Sequence, residues 1–134
     1  MEKVAREVAE KEINDWLDSK KIFESDREAQ KASVETLVDA IVNGVLTVNE
    51  DGNLVHTLLF PLGEEGKRNV TTLTYKKRLA ERDTRKHLKG VSPQDVEGRM
   101  IAYIQALTDE AAGIIGALDT TDSRIAKSVV VFFL

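Results

Sequence analysis

Residues 69–95 read NVTTLTYKKRLAERDTRKHLKGVSPQD, and the fold turns on this stretch. Val70, Thr71, Thr72, Leu73, Thr74 and Tyr75 are almost all β-branched or aromatic, which suits the pleated, half-buried surface of a strand. Seven cations then follow, Lys76, Lys77, Arg78, Arg82, Arg85, Lys86 and Lys89, interrupted only by Glu81 and Asp83. Gly90 closes that segment. Ser92 is a natural N-cap, Pro93 suits a first helical position, and Asp95 belongs in the negative-favouring first turn. The stretch therefore passes from sheet to helix, and the chain on either side can be read from it.

On the amino-terminal side, Leu46, Thr47 and Val48 lead into Asn49-Glu50-Asp51-Gly52-Asn53, and Leu54 to Leu59 lead out. Asp-Gly between apolar runs is a strong hairpin signal, because glycine accepts the positive φ of a tight turn. Pro61 cannot donate to a ladder, so it should end its strand or sit at an edge. The loop Gly63 to Asn69 returns the chain to Val70, giving three antiparallel strands in meander order. So small a sheet needs helices across one face.

Those helices are legible before and after it. Val4, Ala5, Val8, Ala9, Ile13, Trp16 and Leu17 recur at three- and four-residue steps, the stripe of an amphipathic helix anchored by the only tryptophan. A second helix is expected after Ser25 or Asp26. It carries Val34, Leu37, Val38, Ile41, Val42 and Val45, and Asn43-Gly44 is fit to end it. Beyond the basic segment, Val96, Met100, Tyr103, Ile104 and Leu107 mark a helix from about Pro93. Thr108 or Asp109 can cap a short successor, and Asp119 with the following threonines a last helix ending in Val129 to Leu134. The expected fold is α+β and mainly α-helical. One domain, 1–134, divides into helices over 1–45, a small sheet over 46–75 and helices over 76–134.

Charge and composition narrow the function classes. The net charge is −4, yet 75–89 carries seven cations against two acids, a local +5 that leaves −9 for the remainder. Such asymmetry steers partners toward one face. There is no cysteine, which removes disulfides and thiolate zinc sites. No apolar run reaches the roughly 18–20 residues of a membrane span, and the charged start MEKVAREVAEKE lacks a signal peptide's apolar core. An intracellular protein with no membrane association is expected.

Candidate chemistry is sparse. His56 and His87 lie in different elements without metal-ligand spacing, and each reads as a surface or satisfied core histidine. Gly63-Glu64-Glu65-Gly66-Lys67-Arg68 is too short for a phosphate loop and lacks the following Ser or Thr. Asp109, Glu110, Asp119 and Asp122 fall at expected helix starts, where a cap is worth about 1 kcal/mol. Capping accounts for them without catalysis. The sequence therefore points to a non-enzyme with no cofactor and no metal. The candidate partner or self-association surface comprises the cations Lys76, Lys77, Arg78, Arg85 and Lys86 and the apolar Ile125, Val129, Phe132 and Phe133. A terminus this apolar should be buried, in its own core or against another chain.

The runs LTYKKRLAERDTRKHLKGVSPQDVEGRMIAYIQALTDE and AAGIIGALDTTDSRIAKSVVVFFL, together about half the chain, resemble the tail assembly chaperones of long-tailed bacteriophages and prophages. Three features carry the resemblance. They are a strand with a Leu-x-Tyr core leading to a polar helix, a helix ending in Ala106-Leu107-Thr108, and the step Leu118-Asp119-Thr120-Thr121-Asp122 that opens the last helix. The resemblance implies a host-cytoplasmic protein, absent from the mature virion. Such a protein binds the tape measure protein, helps recruit tail tube protein, and forms homo-oligomers. The competing expectation is a small nucleic-acid-binding accessory protein using 75–89. The acidic remainder and the few exposed aromatic candidates count against nucleic acid.

Overall fold

The computed structural model describes residues 3–63 and 69–134. In chain order these form α1 (Arg6–Ser19), α2 (Glu24–Ala29), α3 (Lys31–Val42), β1 (Leu46–Val48), β2 (Leu54–Leu62), β3 (Val70–Tyr75), α4 (Glu81–Arg85), α5 (Val96–Thr108), α6 (Ala112–Gly116) and α7 (Thr120–Val130). The fold is α+β and mainly helical, with a three-stranded antiparallel sheet in the order β1-β2-β3 and helices at both ends. Of the loop expected from Gly63 to Asn69, residues 64–68 lie outside the described residues.

The sheet is half wet. Leu46, Leu54, His56, Leu58, Leu73 and Tyr75 are buried on one face, while Thr57, Thr72 and Thr74 are exposed on the other. This alternation is what a one-sided antiparallel sheet requires. The hairpin turn forms where Asp51-Gly52 sets it, with Gly52 at φ +83° and the Asn49 side chain accepting from the amides of Asp51 and Asn53 at 3.0 Å. Gly44, at φ +73°, ends α3 and releases the chain into β1.

The pairing of β2 with β3 is regular from Leu54↔Tyr75 to Thr57↔Thr72 and resumes only at Leu62↔Val70. Five steps on β2 therefore face two on β3, and β2 bulges around Leu58 to Pro61. Pro61 lies in this irregular part, where the missing amide breaks no ladder bond, and the strand continues one residue past it.

Helices cover the inner face. α3 packs on α1 and α7, α5 on β3, α6 and α7, and α7 on β2. The Val4 amide donates to the carbonyl of Val42 at 2.9 Å, and Arg6 pairs with Asp39, tying the entry of α1 to the end of α3. Trp16 meets the far end of the chain. Its ring stands edge-on to Phe132, with centroids 6.0 Å apart at 88°, and tilted to Phe133 at 6.2 Å. Its Nε1–H is buried and finds no partner among the described residues.

Four local expectations are corrected. The helix placed from Pro93 begins at Val96, because Asp95 rather than Ser92 caps it: its carboxylate accepts from Gly98 N at 2.9 Å. Ser92 to Asp95 forms a turn instead, closed by Asp95 N donating to Ser92 O at 2.9 Å. The second helix is two, broken at Gln30, whose φ of −108° and ψ of 28° leave the helical region. The basic segment is helical only over α4. Before it, Lys76 N is drawn to Leu107 O at 3.0 Å and Lys77 N to Asn53 Oδ1 at 3.0 Å, which holds the chain out of a helix. Asp109 starts no helix: it ends α5 at φ +59°, and α6 follows from Ala111 with no side-chain cap.

Candidate functional site

The polar centre of the molecule is Asp122, which the sequence suggested as a helix cap. Asp119 does that work, its carboxylate accepting from Thr121 N at 2.9 Å. One turn on, Asp122 is fully buried and faces the sheet. Its Oδ1 accepts from Leu59 N at 2.9 Å and its Oδ2 from Phe60 N at 3.0 Å. These are the successive amides that the β2 bulge takes out of the ladder. The carboxylate thus replaces a missing strand for two part-buried amides, whose loss of a partner costs less than the about 1–3 kcal/mol of a fully buried one.

Oδ1 also lies 3.0 Å from Nε2 of His56, and Nδ1 of that ring lies 2.9 Å from the hydroxyl of Tyr75. His56 faces Leu46 on β1 and Leu73 on β3, and Tyr75 is its diagonal neighbour on the same face. The network assigns a neutral ring, with Nε2–H donating to the carboxylate and Nδ1 accepting from the Tyr75 hydroxyl. Burial pushes the His56 pKa down, and the Asp122 hydrogen bond and charge oppose this less strongly. Burial, then the charge of Asp122, pushes the Tyr75 hydroxyl far up, so it stays protonated and can donate. Asp122, His56 and Tyr75 are all 0% exposed. The arrangement can hold helix to sheet from within the core.

The candidate surface residues divide between core and surface. Ile125, Val129 and Phe132 are buried within the chain's own core, and Phe133 is half-buried beside Trp16. Lys76 is paired with Asp109 at 2.8 Å, whereas Lys77, Arg78, Arg85 and Lys86 are exposed. His87, half-buried at the end of the basic segment, has its pKa lowered by burial and then by Lys86.

Two surface features bear most directly on binding. In the first, Lys20, Arg78, Leu79, Ala80, Phe132 and Phe133 line a pocket of ≈ 410 Å³. The Lys20 ammonium sits 3.3 Å from the centre of the Phe133 ring, and burial, then the charge of Arg78, pushes its pKa down to about 8. The sequence reading missed Lys20 because it falls just beyond the stripe of α1, 58 positions before Arg78. In the second, a groove of ≈ 460 Å³ runs between α3 and α7, with Ala40, Val45, Leu59 and Ile125 as its apolar lining and Asp39 and Arg124 among its polar groups. Leu59 is 38% exposed there, and Phe60 next to it is 54% exposed.

No protein-family model, curated protein or solved structure matches the chain. Among the described residues no group of His, Cys, Asp or Glu is placed to hold a metal ion, and no helix is long and apolar enough to cross a membrane.

Proposed function

We propose that this protein is a bacteriophage tail assembly chaperone, a non-enzymatic protein of the host cytoplasm. It binds the tape measure protein, helps recruit tail tube subunits, and is left out of the virion. The observation that carries this reading is the resemblance over Val70 to Leu134, from the Leu73-Thr74-Tyr75 strand through Ala106-Leu107-Thr108 to Leu118-Asp119-Thr120-Thr121-Asp122. The groove between α3 and α7 supports it. A long helical client offers apolar stripes, and a groove lined in part by Leu59, with the exposed Phe60 next to it in the chain, gives such a stripe a place to lie.

Co-expression with a tape measure protein tests the proposal. The expected result is a soluble complex that co-purifies, and Phe60→Glu should lose it while its own melting curve stays unchanged. A tape measure protein that remains insoluble with the wild-type chain would overturn the reading. Gene order is the cheaper check, since a tape measure gene should lie immediately downstream.

A further inference from the structure

The pocket at Lys20 combines features that the chaperone reading does not use. Lys20 and Arg78 are brought together from distant parts of the chain, and neither has a carboxylate within ion-pair distance among the described residues. Lys20 Nζ reaches only the carbonyl of Lys77, at 3.4 Å, and Arg78 Nη2 only that of Ser19, at 3.4 Å. Three other half-buried cations are paired, Lys76 with Asp109, Lys127 with Glu97 and Arg27 with Asp18, whereas the half-buried Lys20 is not. The ammonium of Lys20 has exchanged much of its water for the face of Phe133, an attraction that leaves its charge uncancelled. An arriving anion would therefore meet a partly desolvated cation in a reduced dielectric, where an ion pair is stronger than at an open surface.

The walls decide which anion. Phosphate is strongly hydrated and needs polar donors around all its oxygens, from Arg, Lys and often a cradle of backbone amides, with no apolar wall against it. Here the charged donors are two side chains, and the remaining lining is Leu79, Ala80, Phe132 and Phe133. A carboxylate takes the planar fork of Arg78 in bidentate fashion while an attached apolar group covers the rings. About 410 Å³ is room for one acidic and one apolar side chain.

We propose that this pocket docks an acidic residue and the apolar residue beside it on a partner polypeptide, with the carboxylate between Lys20 and Arg78 and the apolar group on Phe132 and Leu79. The segment belongs to a polypeptide other than this chain, and the proposal does not depend on the chaperone reading.

The test is a nuclear magnetic resonance titration of the full chain, following the Lys20 side-chain methylene and Phe133 ring signals. The probes are N-acetyl-Glu-Phe-amide, its N-acetyl-Gln-Phe-amide counterpart, and inorganic phosphate at matched ionic strength. The acidic dipeptide is expected to shift both sets of signals saturably. The Gln form should bind at least tenfold more weakly, and phosphate should shift neither set at the concentration that saturates the acidic probe. Lys20→Met and Arg78→Gln should each weaken the acidic probe at least tenfold. Arg78 is exposed, so its variant tests the proposal even if Lys20→Met fails to fold. Equal binding of the Gln form would make the pocket merely apolar, and equal binding of phosphate would make it a general anion site. Either result overturns the proposal. So would signals that move with protein concentration alone, which would make the occupant a second copy of this chain.

Discussion

Asp122 on α7 and His56 on β2, 66 positions apart, are joined at 3.0 Å in the fully buried centre of the molecule. The carboxylate that receives His56 also receives the amides of Leu59 and Phe60. One side chain therefore closes the β2 bulge, satisfies the inward histidine and fixes α7 on the sheet.

Replacing Asp122 should cost more than any surface acid. In Asp122→Ala the His56 Nε2–H is left without its acceptor, while water can reach the amides of the part-exposed Leu59 and Phe60. The expected loss is about 3 kcal/mol, one fully unmet buried donor plus two partly met ones. Asp122→Asn keeps one acceptor oxygen but turns an NH2 toward a donor, so it should lose about 1–2 kcal/mol. Urea unfolding of both variants checks the order. An Asp122→Ala variant within 0.5 kcal/mol of wild type, the range of an ordinary surface change, would remove Asp122 from this role.

The same network sets a pH dependence. In the folded chain the His56 pKa lies below the ordinary value of 6.5, mainly through burial, so the unfolded chain binds a proton at this site first. Stability from His56 is then fully present above about pH 6.5 and is lost as the pH falls toward the folded pKa, because the unfolded state gains protons that the folded state refuses. Urea midpoints at pH 7.5 and 5.0 should differ more for wild type than for His56→Leu, which has no proton to take up. Equal differences would mean that other groups cause the slope.

The apolar end supplies a third expectation. Phe132 is 7% exposed and edge-on to Trp16, and Val129 and Val130 before it are wholly buried. Phe132→Ala should cost about 3–5 kcal/mol, the usual range for a large aromatic removed from a core. Phe133→Ala, at a half-buried position, should cost clearly less. Thermal unfolding followed by circular dichroism measures both. Equal small losses would place the end of the chain outside the core.

These features were unequally legible in the sequence. Asp51-Gly52 between two apolar runs exposed the hairpin, and the stripe from Val4 to Leu17 exposed α1, because short-range patterns carry both signals. The alternation Leu54, His56, Leu58 also puts His56 on the inward face, a clue available before any contact is known. Asp122 was not legible. An acid in a first helical turn has a sufficient local explanation, and the bulge it fills is made by residues about 60 positions away. The pairing of Lys20 with Arg78 was hidden for the same reason. The Ser92 cap failed differently: Ser-Pro and Asp are both good starts, and the competition between them was decided by Gly98.

Gly98 offers the sharpest local test. A Cβ built there would lie 2.5 Å from Oδ2 of Asp95, whose Oδ1 accepts from the Gly98 amide at 2.9 Å. Gly to Ala inside a helix ordinarily gains about 1 kcal/mol. In the wild-type chain the new methyl should push the Asp95 carboxylate off its cap, losing about 1 kcal/mol and leaving Gly98→Ala near neutral. With the carboxylate already removed by Asp95→Ala, the next contact is a Val91 methyl at 3.1 Å, the end of a side chain that can yield. Gly98→Ala should then gain most of its ordinary 1 kcal/mol or so. The double-mutant cycle should therefore show a coupling of about 1 kcal/mol between Asp95 and Gly98, within the range found for residues in contact. The Ser92→Ala variant should show none with Gly98. Additive free energies for Asp95 and Gly98 would return the start of α5 to Ser92.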